Sequence, residues 1–286
     1  MRTTVIGAKG FIGRHLVSSL ELLGHELYTP EKNDNAIFDQ PLGHVIYCAG
    51  VTSDFRSRPF DTIRAHVSLL ADLLERAQFE SFVYLSSTRV YANEPDTSIG
   101  SVSQTLHVNP HHAEDLFGIS KLMGESLCLQ TSRKNVRIAR VSNVCGDDFE
   151  SNNFIYSIIK DALSKGEIIL RSSLDSAKDY ISIHDVVQLL INISQRGESK
   201  IYNVASGFNI TNGEWISEIV RATGCSIQVV PNAPTIKFPV LDVQQIKEEF
   251  HFNPRNCLEM TRELIECFLH KRSYRDKGTS NSTIHE

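Results

Sequence analysis

The chain has 286 residues, with 29 lysines and arginines against 34 aspartates and glutamates and a formal net charge of −5. This balance argues against a nucleic-acid-binding protein, whose surface is usually basic. No apolar run approaches the roughly 20 residues of a membrane-spanning helix, and the first residues lack the apolar core of a secretory signal. The six cysteines show no metal-ligand spacing and are expected to be reduced thiols. Composition therefore predicts a cytoplasmic globular protein with no metal, no membrane contact and no nucleic-acid partner.

Short apolar runs alternate with amphipathic helical patterns through the first half of the chain. In the first helical pattern, Leu16, Leu20 and Leu23 fall on one face at three- and four-residue spacing. Such alternation predicts an α/β fold with a doubly wound parallel sheet. The predicted strands are 3–6, 26–28, 36–38, 45–48, 81–85 and 136–139, and the predicted helices are 11–23, 61–77 and 112–132.

The alternation becomes irregular after about residue 147, which predicts two lobes. We assign residues 1–147 to a first domain that contains the parallel sheet and to which 180–205 return, and 148–271 mainly to a smaller lobe. The polar segment 272–286 is expected to be a flexible tail. Between the second strand and residue 45, Pro30, Pro41 and a polar run leave no room for a packed helix, so we expect a short loop and a trimmed crossover.

A glycine-rich turn follows the first predicted strand. Gly7 permits a tight turn, Gly10 lets the backbone approach a pyrophosphate, and Gly13 lets the helix pack against the strand. The helix that starts here presents amide donors and partial positive charge to phosphate groups. The pattern predicts a dinucleotide site, and the alternative is a glycine-rich turn without a ligand.

The GxxGxxG spacing, with Phe11 and Ile12 between its last two glycines, resembles the extended short-chain dehydrogenase/reductase family. This family contains NAD-dependent nucleotide-sugar epimerases, dehydratases and ketoreductases. The resemblance implies a Rossmann-like fold with a smaller C-terminal substrate-binding lobe, and NAD or NADP as the cofactor. By the same resemblance, Cys48, Ala49, Gly50, His66 and Lys121 complete the cofactor contacts.

The choice of cofactor depends on the residues around the adenosine ribose. An acidic residue at the end of the second strand would bind the ribose hydroxyls and repel a 2′-phosphate. Here Glu31 is displaced beyond that strand end, whereas Lys9 and Arg14 border the glycine turn, so we favour NADP over NAD. Asp39, at the end of the predicted third strand, matches the family position that faces adenine.

The motif Ser86-Ser87-Thr88-Arg89-Val90-Tyr91 ends the predicted fifth strand and resembles the catalytic serine/threonine motif of the family. Ser87 then matches the hydroxyl that hydrogen-bonds the reacting sugar oxygen, with Thr88 beside it. Dehydratases of the family resemble Thr-Asp-Glu where this chain has Ser87-Thr88-Arg89. The sequence therefore favours 4-keto reduction or epimerisation over dehydration. The alternative interpretation of the motif is that its hydroxyl groups only stabilise a turn at the end of the strand.

The segment from Phe117 to Lys121 is similar to the YxxxK helix of the family, but phenylalanine replaces the tyrosine. In the family, the lysine binds the nicotinamide ribose and lowers the tyrosine pKa, and the tyrosine exchanges a proton with the sugar hydroxyl. Residues four apart share one helix face, so both side chains are expected in one site. Phenylalanine has no proton to exchange, and general acid–base catalysis contributes about 10²–10⁴ in rate. We therefore predict strongly impaired turnover.

Three explanations for Phe117 are open. The chain is an engineered tyrosine-to-phenylalanine variant of an active enzyme, which the intact motifs around it favour. It is a natural enzyme that uses another acid, with Ser87, Thr88, His111 or His112 as candidates. Or it is a catalytically inactive regulatory protein that binds NAD(P) or a nucleotide sugar.

The resemblance also implies a substrate: a nucleotide-diphosphate sugar of the kind used in surface-polysaccharide or deoxysugar biosynthesis. Asn143, in a motif similar to the sixth strand of the family, and Asn153, beside Asn152, are expected near the diphosphate. Lys178 replaces an arginine of the family, and Thr52 completes the predicted substrate contacts. A homodimer is expected through helices 61–77 and 112–132.

Overall fold

The computed structural model describes residues 1–52, 54–151 and 153–280, and the backbone alone for 271–280. In chain order the elements are β1 (Arg2–Ile6), α1 (Phe11–Leu22), β2 (Glu26–Tyr28), β3 (His44–Tyr47), α2 (Pro59–Ile63), α3 (Leu69–Arg76), β4 (Ser81–Ser87), β5 (Ile99–Gly100), α4 (Asp115–Gln130), β6 (Val136–Val141), β7 (Asn143–Cys145), α5 (Phe154–Lys165), β8 (Glu167–Leu170), β9 (Ala177–Ser182), α6 (Ile183–Arg196), β10 (Ile201–Val204), β11 (Asn209–Thr211), α7 (Asn212–Thr223), β12 (Ser226–Val229), β13 (Val240–Leu241), α8 (Gln244–Phe250) and α9 (Thr261–Ser280). Short 3-10 helices cover Asn35–Phe38 and Thr88–Tyr91, and a π-helical turn, Arg64–Ser68, joins α2 to α3.

The chain divides into two compact units. The first consists of Met1–Val144, Lys178–Asn209 and Phe238–Arg255, and the second of Cys145–Ala177, Ile210–Lys237 and the residues from Asn256 onward.

A six-stranded parallel sheet in the order β10-β6-β4-β3-β1-β2 forms the centre of the first unit. Successive side chains of each strand enter different cores: Val45 and Tyr47 lie in one core, and Ile46 lies in the other. Helices α1 and α6 contribute to the core of Ile46, whereas α3 and α4 contribute to that of Val45. Both faces of the sheet are therefore covered, which explains the continuous apolar runs. The predicted Rossmann-like, doubly wound fold is confirmed.

The third predicted strand, 36–38, is wrong. This segment is a 3-10 helix, because the Asp34 side chain accepts a hydrogen bond from the Ala36 amide at 2.9 Å and caps the turn. Gly43, with φ near +65°, then directs the chain into β3. The sheet consequently ends at β2, and the predicted trimming of this crossover removes a whole edge strand.

Residues 238–255, which the sequence analysis assigned to the substrate-binding lobe, belong to the first unit. The strand β13 pairs in parallel with β5, and α8 packs against β10. Ile246 and Phe250 of α8 are buried in the same core as α1 and α6. Strands β7, β9 and β11 form a three-stranded sheet in the order β11-β9-β7.

The second unit packs helices beside a small sheet. Strands β8 and β12 pair in parallel, and α7 contacts both α5 and α9. The helix α7 begins with a capping box in which Thr211 and Glu214 satisfy each other's backbone amides. Trp215 of α7 is fully buried.

The predicted tail begins at residue 272, but the helical backbone of α9 continues through Ser280. The remainder of that tail, 281–286, and Asn152 lie outside the described residues. Within the described part of the chain, no helix has the length and apolarity needed to cross a bilayer.

Candidate active site

The glycine turn leaves no space for side chains. Gly7 has φ near +90°, and a Cβ on Gly7 would lie 2.7 Å from the Ala49 nitrogen. A Cβ on Gly13 would lie 2.2 Å from the Gly7 oxygen, and one on Gly10 would lie 3.3 Å from it. Because α1 begins at Phe11 with no acidic side chain in its first turn, its amide end is suited to an anion. These features fit the pyrophosphate of a dinucleotide.

The loops that follow β1 and β3 meet at the point where the strand order reverses. The Gly7 backbone approaches Ala49, and the next residue, Gly50, lies beside two functional side chains. A Cβ on Gly50 would be 3.1 Å from His66 Nε2 and 3.6 Å from Lys121 Nζ. Such a reversal point is where open α/β sheets bind their ligands. The structure thus brings together the predicted cofactor residues Cys48, Ala49, Gly50, His66 and Lys121.

His66 lies in the π-helical turn and is fully buried. Its Nε2 accepts a hydrogen bond from the Val51 amide at 3.3 Å, and its Nδ1 lies 2.8 Å from Ser120 Oγ. Ser120 donates its own proton to the Phe117 carbonyl oxygen, so Nδ1 carries the imidazole proton. Burial, reinforced by the nearby charge of Lys121, lowers the His66 pKa to about 2, so the ring is neutral.

Lys121 reaches from α4 to the end of β4. Its Nζ donates to the Leu85 carbonyl oxygen at 2.8 Å and lies 5.0 Å from the centroid of the Tyr84 ring. Burial lowers the Lys121 pKa to about 7, against the opposing effect of Glu125 one turn further along α4. The ammonium group is therefore close to its titration point at neutral pH.

Phe117 is buried in an apolar pocket with Val51 and Phe55. The centroids of the Phe55 and Phe117 rings are 5.5 Å apart, and Lys121 Nζ lies 5.9 Å from the Phe117 centroid. The expected pairing of positions 117 and 121 on one helix face is thus present. At this position the side chain offers packing and no exchangeable proton.

Ser87 ends β4, and its Oγ accepts a hydrogen bond from the Arg89 amide at 3.2 Å. Thr88 is buried at the start of the following 3-10 helix. The other acids weighed for Phe117, His111 and His112, are exposed and hydrogen-bond Asn109 through a backbone amide and a ring nitrogen respectively. The described contacts do not bring either histidine to Phe117.

Two arginines and one glutamate lie over the aromatic pair. Arg56 forms a two-point ion pair with Glu114, and Arg89 Nη2 donates to the same carboxylate at 2.6 Å. The Arg89 guanidinium carbon lies 5.0 Å from the Phe55 centroid and 5.7 Å from that of Phe117. The two guanidinium groups hold the Glu114 pKa below its usual value.

A buried ionic network lies beneath the site. Arg140 of β6 donates three hydrogen bonds to Glu125, of which Nη2 to Oε2 is 2.7 Å, and both side chains are at most 4% exposed. Arg140 also donates to the Tyr91 hydroxyl at 2.7 Å, and Ser86 donates to Glu125 Oε1 at 2.5 Å. This network fixes α4 against β4 and β6, and with it the position of Lys121.

The adenosine end of the predicted cofactor site contains one exposed ion pair. Lys9 Nζ lies 2.6 Å from Glu31 Oε2, so the basic and acidic residues weighed for cofactor choice neutralise each other. The guanidinium of Arg14 lies over the Phe11 ring at 5.0 Å. Asp39 follows the 3-10 helix and is exposed, so it does not end a strand as predicted. The match of Asp39 to an adenine-facing position stays a prediction.

The predicted substrate residues are spread over both units. Thr52 is exposed after Val51, and Asn143 Nδ2 donates to the Asp179 carbonyl oxygen at 2.8 Å. Lys178 of β9 has its Nζ 5.5 Å from the Tyr180 ring centroid. In the second unit, Asn153 is the N-cap residue of α5 and makes no side-chain capping hydrogen bond.

The sequence analysis missed the residues that surround Phe117. Phe55 and Glu114 belonged to no motif, Ser120 occupied a variable position of the segment from Phe117 to Lys121, and their partners lie far away in the chain. The one local signal was the charge pattern beside Phe55, since Asp54 precedes it and Arg56 and Arg58 follow it. In the described part of the chain, no cluster of three or more histidine, cysteine, aspartate or glutamate side chains has metal-binding geometry.

A glycine turn at the reversal point of a parallel sheet, with a buried lysine beside it, defines a Rossmann-like dinucleotide-binding protein. The model of the NAD dependent epimerase/dehydratase family matches residues 3–205, and the chain belongs to this family. The resemblance stated from the motifs is thereby confirmed.

Three relatives show which proteins this chain is similar to. It is 26% identical over 234 residues to GDP-6-deoxy-D-mannose reductase of Pseudomonas aeruginosa, covering 72% of this chain and 75% of the reductase. The structure of RMD from Pseudomonas aeruginosa complexed with NADPH superposes with a TM-score of 0.77 at 21% identity, covering 93% and 99% of the two chains. MoeE5 in complex with UDP-glucose and NAD gives a TM-score of 0.78 at 21% identity, covering 95% and 99%. At this identity the two structures show a shared fold.

Proposed function

We propose that this chain binds NAD(P) and a nucleotide-diphosphate sugar, and that its reaction type is 4-keto reduction or epimerisation of the sugar. The observation that carries the proposal is the position of Lys121, which lies between Gly50, in the loop after β3, and Leu85 of β4. The similarity to a nucleotide-sugar reductase favours reduction over epimerisation.

The chain's own residues supply binding and orientation. Gly7, Gly10 and Gly13 would hold the pyrophosphate, and Lys121 the nicotinamide ribose, while Ser87 would hydrogen-bond the reacting sugar oxygen. When bound, the nicotinamide supplies or accepts a hydride. Lys9 and Arg14 support NADP(H), although the pairing of Lys9 with Glu31 weakens the charge available to a 2′-phosphate.

Phe117 limits this chemistry because no proton donor stands where the family has a tyrosine. Its ring keeps the site packed between Phe55 and His66, so the fold is maintained and the acid–base step is impaired. The expected state is a chain that retains its ligands and reacts slowly. The alternative function is a catalytically inactive regulatory protein that binds NAD(P) or a nucleotide sugar.

The variant Phe117→Tyr tests the proposal. We expect the reduction of nucleotide 4-keto-sugars, followed by NADPH absorbance, to rise by about 10²–10⁴ in the variant. The control Phe60→Tyr adds the same hydroxyl to a ring that is 76% exposed and leaves the rate unchanged. Tight cofactor binding without hydride transfer to any 4-keto-sugar in the Phe117→Tyr variant would support the regulatory alternative.

The predicted homodimer extends this proposal. The helices α2 and α4 carry exposed apolar side chains, Phe60 in α2 and Met123 and Leu129 in α4. Light scattering after size exclusion tests the prediction, and a monomer at micromolar concentration contradicts it.

A further inference from the structure

Arg56, Arg89 and Glu114 form a group that we call the arginine cluster. Arg56 donates to both carboxylate oxygens of Glu114 through Nε and Nη2, whereas Arg89 uses Nη2 alone. Two guanidinium groups therefore share one carboxylate, which leaves one positive charge uncompensated. Among the residues that the structure describes, no second carboxylate contacts either guanidinium.

The next arginine in the same loop is fully compensated. Arg58 pairs with Asp54 at 3.0 Å and with Asp61 at 3.1 Å, and Asp61 also pairs with Arg64 at 3.2 Å, so two acids balance two cations. Arg58 shows that an arginine of this loop can be neutralised by neighbouring acidic side chains without a ligand. Among these described ion pairs, the surplus positive charge belongs to the arginine cluster.

The arginine cluster is held in place before any ligand arrives. The guanidinium carbons of Arg56 and Arg89 lie 4.7 and 5.0 Å from the centroid of Phe55, which is fully buried. Stacking on an aromatic ring fixes a planar guanidinium and reduces the entropy lost on binding. The side chains of Arg56 and Arg89 are still 51% and 37% exposed, so the donors that Glu114 leaves unused face solvent.

The arginine cluster is also tied to the predicted substrate position. Arg89 follows Ser87 by two residues, and its amide donates to Ser87 Oγ at 3.2 Å. If Ser87 holds the oxygen on C4 of a hexose, C5 is the neighbouring ring carbon and carries C6. The Arg89 guanidinium lies 5.7 Å from the centroid of the Phe117 ring, so an acidic group at C6 would lie near it. A guanidinium binds a carboxylate by paired, charge-assisted hydrogen bonds.

We propose that the arginine cluster binds a carboxylate on the sugar, and hence that the substrate class is a nucleotide-activated uronic acid. The inference rests on the proposed function, because it takes the sugar to lie at Ser87 and Phe117. The diphosphate is a second anionic group of any nucleotide sugar, so the test keeps it constant.

The test uses pairs of ligands that differ at C6 alone: UDP-glucuronic acid with UDP-glucose, and GDP-mannuronic acid with GDP-mannose. Dissociation constants are measured by titration calorimetry on the full chain saturated with NADP or NAD. We expect the acid of at least one pair to bind about 10- to 100-fold more tightly than its neutral partner. Arg56→Gln and Arg89→Gln should each lower this ratio towards 1, and Glu114→Gln should raise it.

Arg58→Gln is the matched control, since it removes a compensated arginine from the same loop and should leave the ratio unchanged. Equal affinity for acid and neutral ligands in the unaltered chain overturns the inference and leaves the proposed function standing. Failure to bind any nucleotide sugar, with cofactor binding intact, overturns the proposed function and the inference together.

Discussion

The rings of Phe117 and His66 are nearly perpendicular, with an interplanar angle of 87° and centroids 5.4 Å apart. The same two residues are linked a second time through Ser120, which joins His66 Nδ1 to the Phe117 carbonyl oxygen. Because His66 also accepts the Val51 amide, one neutral imidazole connects α4 to the loop that follows β3. The position of the Phe117 ring therefore depends on a histidine that must stay uncharged.

This dependence predicts acid sensitivity. The His66 pKa is about 2 in the folded chain and about 6.5 in the unfolded one, so below pH 6.5 the unfolded state binds the extra proton. The free energy of unfolding should therefore decrease as the pH is lowered. Between pH 6.5 and pH 5 we expect it to decrease by about 2 kcal/mol more than in the variant His66→Gln. Urea denaturation across this range measures the difference. A nitrogen NMR spectrum of the imidazole that shows His66 protonated at pH 5 in the folded chain would contradict the prediction.

The lowered pKa of Lys121 predicts that the free energy of unfolding increases with pH above neutrality. Its pKa is lowered from 10.5 to about 7, so between these values the unfolded state binds more protons than the folded state. Stability should rise with pH across this window, because the cost of burying the ammonium disappears as Lys121 deprotonates. Relative to Lys121→Met, the gain from pH 7 to 9 is about 2–3 kcal/mol. Parallel stability curves for the two proteins would exclude the shifted pKa.

The buried ion pair of Glu125 and Arg140 predicts that substitutions of these two residues have strongly coupled effects on stability. Removing one partner, by Glu125→Gln or Arg140→Met, leaves an unpaired buried charge and should cost about 3–5 kcal/mol. The double variant should lose much less than the two single losses combined. A double-mutant cycle by chemical denaturation measures this coupling, and additive losses would show that the pair is not coupled.

Two glycines predict opposite results for the same substitution. Gly13→Ala places a Cβ 2.2 Å from the Gly7 oxygen, so the turn must distort and dinucleotide binding should be lost. Gly118→Ala, in α4, meets no atom within 4 Å of the new Cβ and should gain about 0.5–1 kcal/mol because alanine favours the helix. Thermal unfolding compares the two variants, and binding of NADPH followed by fluorescence checks the first. Normal NADPH binding by Gly13→Ala would show that the turn is not the cofactor site.

Much of the first unit could be predicted because its strands are buried on both faces and stand out as apolar runs. The run 36–38 misled the prediction, since the competing signal was one side chain, Asp34, that caps a turn two residues later. The return of residues 238–255 could not be foreseen either. It depends on β13, a strand of two residues, which is too short to show a period.

The candidate site was predictable where a motif occupies adjacent positions and not where contacts are distant. Gly7, Gly13 and Lys121 follow from local spacing. By contrast, Glu114 meets Arg56 across 58 positions, and Ser120 meets His66 across 54. Such contacts depend on how α4 lies against the π-helical turn, which no local pattern encodes.

The missing edge strand has a kinetic consequence. In the proposed binding mode, the adenosine half of a dinucleotide would contact less protein at this edge, because the sheet ends at β2, a strand of three residues. Fewer contacts with the adenosine mean faster dissociation. We expect the dinucleotide to be exchanged after each turnover, as a reductase requires, whereas an epimerase regenerates its own and gains by retaining it. Stopped-flow dissociation rates of NADPH and NAD would then distinguish a co-substrate from a resident group.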